Sequence, residues 1–326
     1  MAQFTNTTTA PAIGNTIMQA EVVDLIEILT WARPDDSEEE AQFVTLFVDP
    51  LANLPAVTSH RIDGAGNRWF TIGEPEASRL LFSCHTDTVH AKGGRQEIQW
   101  QADGETLELK KRKPGQCLGA DDGAGIYILR RMMAAGVSGT YVFHRGEEVG
   151  RLGSRWAAKN EPELLERFNA CIAFDRRDTG DIITFQSGER TASDSFADSL
   201  ADQLGIYGLD YQADPTGSYT DSYSYRGIIS ECTNLSVGYD REHGPMETLN
   251  AAHAWQLANA LCKLDWGKLD ISRDPSRIEY ETYSFGYDMG GYGNVTRLYG
   301  RDSDIQSPSG LWQNSDDDDD DDRWQD

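Results

Sequence analysis

The chain has 326 residues, 39% of them hydrophobic and 10% aromatic, which is enough for one large domain or two ordinary ones with a full core. Its net charge of −25 argues against nucleic acid as a partner. No apolar run approaches the ~18 residues that suggest a membrane span, and the opening MAQFTNTTTAPAIGNT has neither the basic nor the apolar stretch of a secretory signal.

Residues 1–16 read as a flexible Thr/Asn-rich arm. From Met18 to Ala32, apolar Val22, Leu25, Ile26 and Leu29 recur at helical spacing, and Pro34 ends that helix. Ser37 and Glu40 form a capping-box signature ahead of a second amphipathic helix, AQFVTLFVDPL. Short apolar runs then come in rhythm, at 79–84, 140–145, 171–175, 181–185 and 228–238. Helical patterns separate them at 123–136 and 155–168, and a last helix covers 247–264. Strands alternating with helices predict an α/β fold of three layers, a mixed and largely parallel sheet covered on both faces. Segment 92–112 reads as a polar hairpin. Beyond residue 272 the chain turns rich in Gly, Tyr, Ser and Asp and ends near an unbroken run, Asp316 to Asp322. That composition predicts an arm, disordered in part, so the expected domain spans 17–271. Five widely spaced cysteines (Cys84, Cys117, Cys171, Cys232, Cys262) without a CxxC pair read as reduced thiols of a cytoplasmic protein.

In open α/β sheets ligands bind beyond the carboxyl ends of the strands, and several chemistry-bearing residues fall there. His85 and Asp87 follow LLFSC at i and i+2, on one face of an extended segment. Asp121 enters a helix whose first turn holds Gly123 and Gly125; taken alone, it is an ordinary helix cap. Glu147 and Glu148 follow TYVFHRG, where a solvated turn is the bland explanation for two neighbouring acids. Asp175 follows CIAF, and His243 precedes GPMETLN. Each is weak singly, since a strand-end Asp or His is more often structural. Five such positions supplying His, Asp, Glu, Asp and His make a ligand set suited to zinc or a similar divalent ion.

The ordered motifs SCHTDTV, LGADDGAG, HRGEEVG, AFD and HGP resemble the signature of the two-metal aminopeptidase and deacylase superfamily, over residues 18–265. LGADDGAG is similar in wording to tripeptidase T and aminoacyl-histidine dipeptidase. The resemblance implies a zinc-peptidase fold and two divalent ions per chain, zinc first, with cobalt or manganese as alternatives. It implies that Asp121 bridges the metals, that His85 and Asp175 complete one site, and that Glu148 and His243 complete the other. Glu147 is then the general base and Asp87 orients His85.

Only 67 residues lie between Asp175 and His243, too few to add a lid domain of ~50 residues or more to the strands and helix already expected there. The chain is therefore similar in architecture to the lidless leucyl aminopeptidases. Asp221 and Gly227 fit that group's pattern, whereas Ser222 stands where a histidine is frequent. His144, beside the Glu pair, and Tyr219 are further site candidates; His60, His90 and His253 are not required. The implied activity is hydrolysis of short peptides from the amino end. Alternatives are a deacylase acting on N-acyl amino acids and a non-catalytic binding protein with an acidic interaction tail.

Overall fold

The structure, a computed structural model, describes residues 18–74 and 79–280. The expected N-terminal arm and the aspartate run lie outside the described residues, as does all but the start of the expected C-terminal arm. Strands β1 (Val57–Ile62), β2 (Arg68–Ile72), β3 (Leu80–His85), β4 (Gly139–His144), β5 (Ala170–Arg176), β6 (Asp181–Ile183), β7 (Gln212–Asp214) and β8 (Glu231–Ser236) form one sheet. Their order is β7-β6-β8-β5-β3-β4-β2-β1. The central four, β8, β5, β3 and β4, are all parallel, so their carboxyl ends share one edge. β2 and β1 continue antiparallel beyond β4.

Alternation along the central strands builds two cores. Leu80, Phe82 and Cys84 of β3 and Ile172 and Phe174 of β5 enter one apolar cluster; Leu81 and Cys171 enter another on the opposite face. Both faces are covered, which is why these strands read as continuous apolar runs. Helices α1 (Val23–Leu29), α2 (Glu38–Phe43), α3 (Ala120–Ala134), α4 (Leu152–Asn160), α5 (Asp194–Gly205) and α6 (Ala251–Leu261) complete the layers. α3 crosses β3 and β5, packs against α1 and α6, and is buried without a break from Ala120 to Leu129.

Several element ends differ from expectation for local reasons. The first helix stops at Leu29 because Trp31 and Ala32 pair with Gly94 and Arg95. The helix expected over 155–168 is broken: α4 ends at Asn160 and a separate turn, Pro162–Leu165, follows. The last helix begins only at Ala251, where Asn250 accepts the His253 N–H at 2.9 Å as its cap. Before it, Thr248–Asn250 joins a small sheet with Thr106–Leu109, itself half of the expected hairpin. β1 has no clear sequence signal, and β2 lies outside the expected apolar runs. Residues 272–280 are pinned to the domain: Glu231 accepts the N–H groups of Ser272 and Arg273, and the Arg273 guanidinium donates to the carbonyls of Arg226, Ile229 and Ser230. The stretch from Asp175 to His243 is filled by β6, α5, β7, β8 and a turn at Asp221–Tyr225.

Candidate metal centre

The carboxyl edge of the four parallel strands gathers all five expected ligands. His85 is the last residue of β3, Asp175 lies at the end of β5, and Glu148 follows β4. Asp121 enters from the start of α3, with extended rather than helical backbone (φ −82°, ψ 103°). His243 comes from the loop after β8.

Asp121 is the hinge of the geometry. Its Oδ1 stands 3.0 Å from His85 Nε2, and its Oδ2 stands 3.1 Å from His243 Nε2. His85 Nε2 is also 3.5 Å from Asp175 Oδ1, and His243 Nε2 is 3.2 Å from Glu148 Oε2. One carboxylate thus faces two imidazole–carboxylate pairs, one through each oxygen. Ligand atoms of His85, Asp121 and Glu148 lie within 4.8 Å of one another, as do those of His85, Asp122 and Asp175. Asp122 was not anticipated at this spot. Its carboxylate already accepts the N–H groups of His85 (3.2 Å) and Gly125 (2.9 Å), so it braces the site from behind the ligands.

The electrostatics are those of too many anions around two imidazoles. Burial raises Glu148 to about 7, and the Asp121 charge adds to this. Burial and Asp121 likewise lift Asp175 to about 6. Burial pushes Glu147 well above the carboxylate range. Burial opposes protonation of His85, but Asp175, Asp121 and Asp87 outweigh it and hold His85 well above the imidazole range. Hydrogen bonding to Asp121 and Glu148 raises His243 to about 11. Burial alone would raise Asp121, yet the two histidines hold it below the usual range. Glu148 Oε1 is buried with no hydrogen-bond partner. Hard oxygen and imidazole donors, an orphaned carboxylate oxygen and surplus negative charge fit divalent cations.

Around these groups, Thr220 donates to Asp175 Oδ2 at 2.5 Å and Tyr239 to Asp175 Oδ1 at 3.1 Å. Glu147 lines the adjoining cavity with Asp121, Asp175, Arg176, Arg177, Tyr219, Tyr239, Glu242 and His243. Tyr219 stands half-exposed at that cavity, its ring 4.5 Å from the Arg151 guanidinium. His144 and Asp221 are brought together, Nδ1 to Oδ2 at 3.1 Å, and His144 Nε2 meets the Tyr225 hydroxyl at 2.6 Å. They form a buried network of their own, and neither joins the two imidazole–carboxylate pairs. Sequence reasoning also missed Glu247 and Arg33. Glu247 accepts backbone N–H groups at the start of α3, and burial raises it to about 8. Arg33 is fully buried and donates to the carbonyls of Thr86 and Gly119. A lone acid before a strand and an arginine before a proline carry no local mark of such roles.

No family model and no curated protein matches this sequence. Solved structures do match. Aminopeptidase PepT from Bacillus cereus superposes with a TM-score of 0.59 at 14% identity, covering 75% of this chain and 98% of its own. A tripeptidase from Staphylococcus aureus gives 0.60 at 13% identity, covering 75% and 96%. An aminopeptidase from the archaeon Desulfurococcus kamchatkensis gives 0.56 at 13% identity, covering 76% and 94%. The chain has the fold of these peptidases.

Proposed function

We propose that the chain is a co-catalytic two-metal exopeptidase that removes residues from the amino end of short peptides. The observation that carries this reading is Asp121, whose two oxygens each face a separate imidazole–carboxylate pair. His85 and Asp175 would hold one cation, His243 and Glu148 the other, with Asp121 shared. Two such ions, zinc in the first instance and cobalt or manganese on the same donors, would supply a lowered pKa for a water and polarisation of the scissile carbonyl.

The remaining work belongs to the protein. Glu147 accepts the proton of the attacking water and delivers it to the leaving amine. Asp87 orients His85 and fixes the backbone of both glutamates. The cavity beside Glu147 takes the substrate, and Tyr219 forms part of its wall. That solved structures of the same fold are named aminopeptidases and a tripeptidase supports peptides as the substrate class, and a binding protein would have no use for Glu147 in addition to Glu148. Five free cysteines, four of them buried, favour a reducing compartment, the cytoplasm.

The test is metal analysis together with a panel of peptides blocked at either end. About two metal equivalents, and release of the first residue from peptides with free amino ends, are expected. Turnover confined to N-acyl amino acids would make the chain a deacylase. Full activity in protein containing no metal would end the proposal.

A further inference from the structure

We infer that Glu247 is a positioning residue that fixes the backbone of the shared ligand Asp121 and locks it to the loop carrying His243. The inference rests on the two-metal reading above. α3 begins at Gly119, in left-handed backbone (φ 71°), with no side-chain cap of its own. A Cβ there would lie 3.3 Å from Thr88 Cγ2 and 3.4 Å from His90 Cε1, a tight fit, and the left-handed conformation itself favours glycine. This turn aims three successive N–H groups at one point, an arrangement that binds anions.

The anion comes from far along the chain. Glu247 Oε1 accepts the N–H groups of Ala120 (2.8 Å) and Asp121 (3.0 Å), and Oε2 accepts that of Gly119 (3.0 Å). The side chain is 1% exposed, and a carboxylate so buried is costly unless its oxygens are satisfied. What the carboxylate adds is two acceptor oxygens on three donors, and so a fixed orientation for a residue outside helical geometry.

Four residues earlier, His243 Nε2 meets Asp121 Oδ2 at 3.1 Å. The segment 243–247 therefore grips Asp121 twice, once by its side chain and once by its backbone. On the other side of the turn, Arg33 donates to Gly119 O (3.4 Å) and to Thr86 O (2.9 Å), between His85 and Asp87. The shared ligand is thus held from the loops of both imidazoles.

Glu247→Gln leaves one acceptor oxygen and turns an amide N–H₂ toward backbone donors. Zinc titration of the chelated protein should show affinity weakened ~10–100-fold, as for lost support of a metal ligand. Turnover on the best peptide should return toward wild type in excess zinc. Glu247→Asp, which keeps the charge but is one methylene short, should shift the zinc curve in the same direction, and it serves if the Gln variant does not fold. A lower melting temperature with an unchanged zinc curve in the folded variants would make Glu247 a structural cap and overturn the inference. A wild-type chain that takes up no zinc would instead overturn the two-metal reading itself, so the two failures are separable.

Discussion

Asp87 holds Glu148 by its backbone: Oδ2 accepts the Glu148 N–H at 3.0 Å, while Oδ1 accepts the Glu147 N–H at 3.1 Å and stands 3.4 Å from His85 Nδ1. One fully buried carboxylate therefore sets both glutamates after the next strand, and together with the Asp87 main-chain carbonyl, 3.2 Å from His85 Nδ1, it faces the histidine at the end of its own. Asp87→Asn keeps the size but replaces one acceptor oxygen with a donor facing an N–H. Zinc affinity should fall ~10–100-fold, the usual cost of losing a ligand's supporting partner. A zinc titration that matches wild type would show that Asp87 is dispensable to the centre.

The adjacent glutamates are expected to fail differently. Glu148 Oε2 faces His243 at 3.2 Å, whereas Glu147 lines the open cavity. Glu147→Gln should retain about two metal equivalents and lose ~10²–10⁴ in turnover, the range for a general base. Glu148→Gln should lose metal first, with turnover partly recovered in excess zinc. Identical behaviour of the two variants, measured by metal content and kcat, would remove the division of roles.

Much of this was legible in the sequence, and the reason is topological. Parallel strands deliver their last residues to one edge, so His85, Asp175 and the Glu pair could be placed there without knowing the strand order. The shared role of Asp121 came only by resemblance; its two-sided geometry needed the fold. Glu247 and Asp122 stayed hidden because their partners are backbone N–H groups distant in sequence or inside the turn itself. No periodicity reports such a bond. His144 and Asp221, expected as substrate or supporting residues, meet each other and Tyr225 in a buried network apart from the ligand cluster. Strand β1 escapes sequence reading because VTSHRI is largely exposed and carries no apolar alternation, whereas β2, RWFTI, is short but largely buried.

Stability should depend on pH differently in the metal-free and metal-loaded protein. Burial lifts Glu148 from 4.5 to about 7, Asp175 from 3.8 to about 6 and Glu40 from 4.5 to about 7. A raised carboxyl value means the folded state holds its proton longer than the unfolded chain, so its full contribution is present below about pH 4 and is lost as pH climbs through 6 and 7. His243, raised to about 11, loses its contribution in the same direction above its ordinary 6.5. Asp121, held low, acts in the other direction only below about pH 4. His90 and His253, lowered by burial to about 4, act in the opposite direction up to pH 6.5, so the melting temperature of the chelated protein should fall between about pH 6.5 and 8. With metal bound the ligands must be deprotonated, so the stabilisation by metal should grow over the same range. Parallel curves for the two forms would contradict the placement of these groups around a cation site.

Two glycines in the expected site region should respond oppositely to alanine. A Cβ at Gly125 would lie 2.4 Å from both Asp122 Oδ1 and the Phe174 carbonyl oxygen. Alanine normally favours a helix over glycine by ~1 kcal/mol, but here the added methyl meets backbone on one side and a fully buried carboxylate on the other. Neither can retreat without moving β5, and the next residue of β5 is Asp175. Overpacking of this kind costs ~1–3 kcal/mol, so the clash outweighs the propensity. Gly125→Ala should lower thermal stability and weaken zinc binding together. Gly227 is exposed, and a Cβ there meets nothing within 4 Å. Gly227→Ala should be neutral or stabilising by up to ~1 kcal/mol, through the unfolded chain alone. Paired melting curves and zinc titrations decide the matter. A Gly125→Ala protein as stable as Gly227→Ala would mean that α3 does not press on the Asp175 strand as closely as the packing of the ligand edge requires.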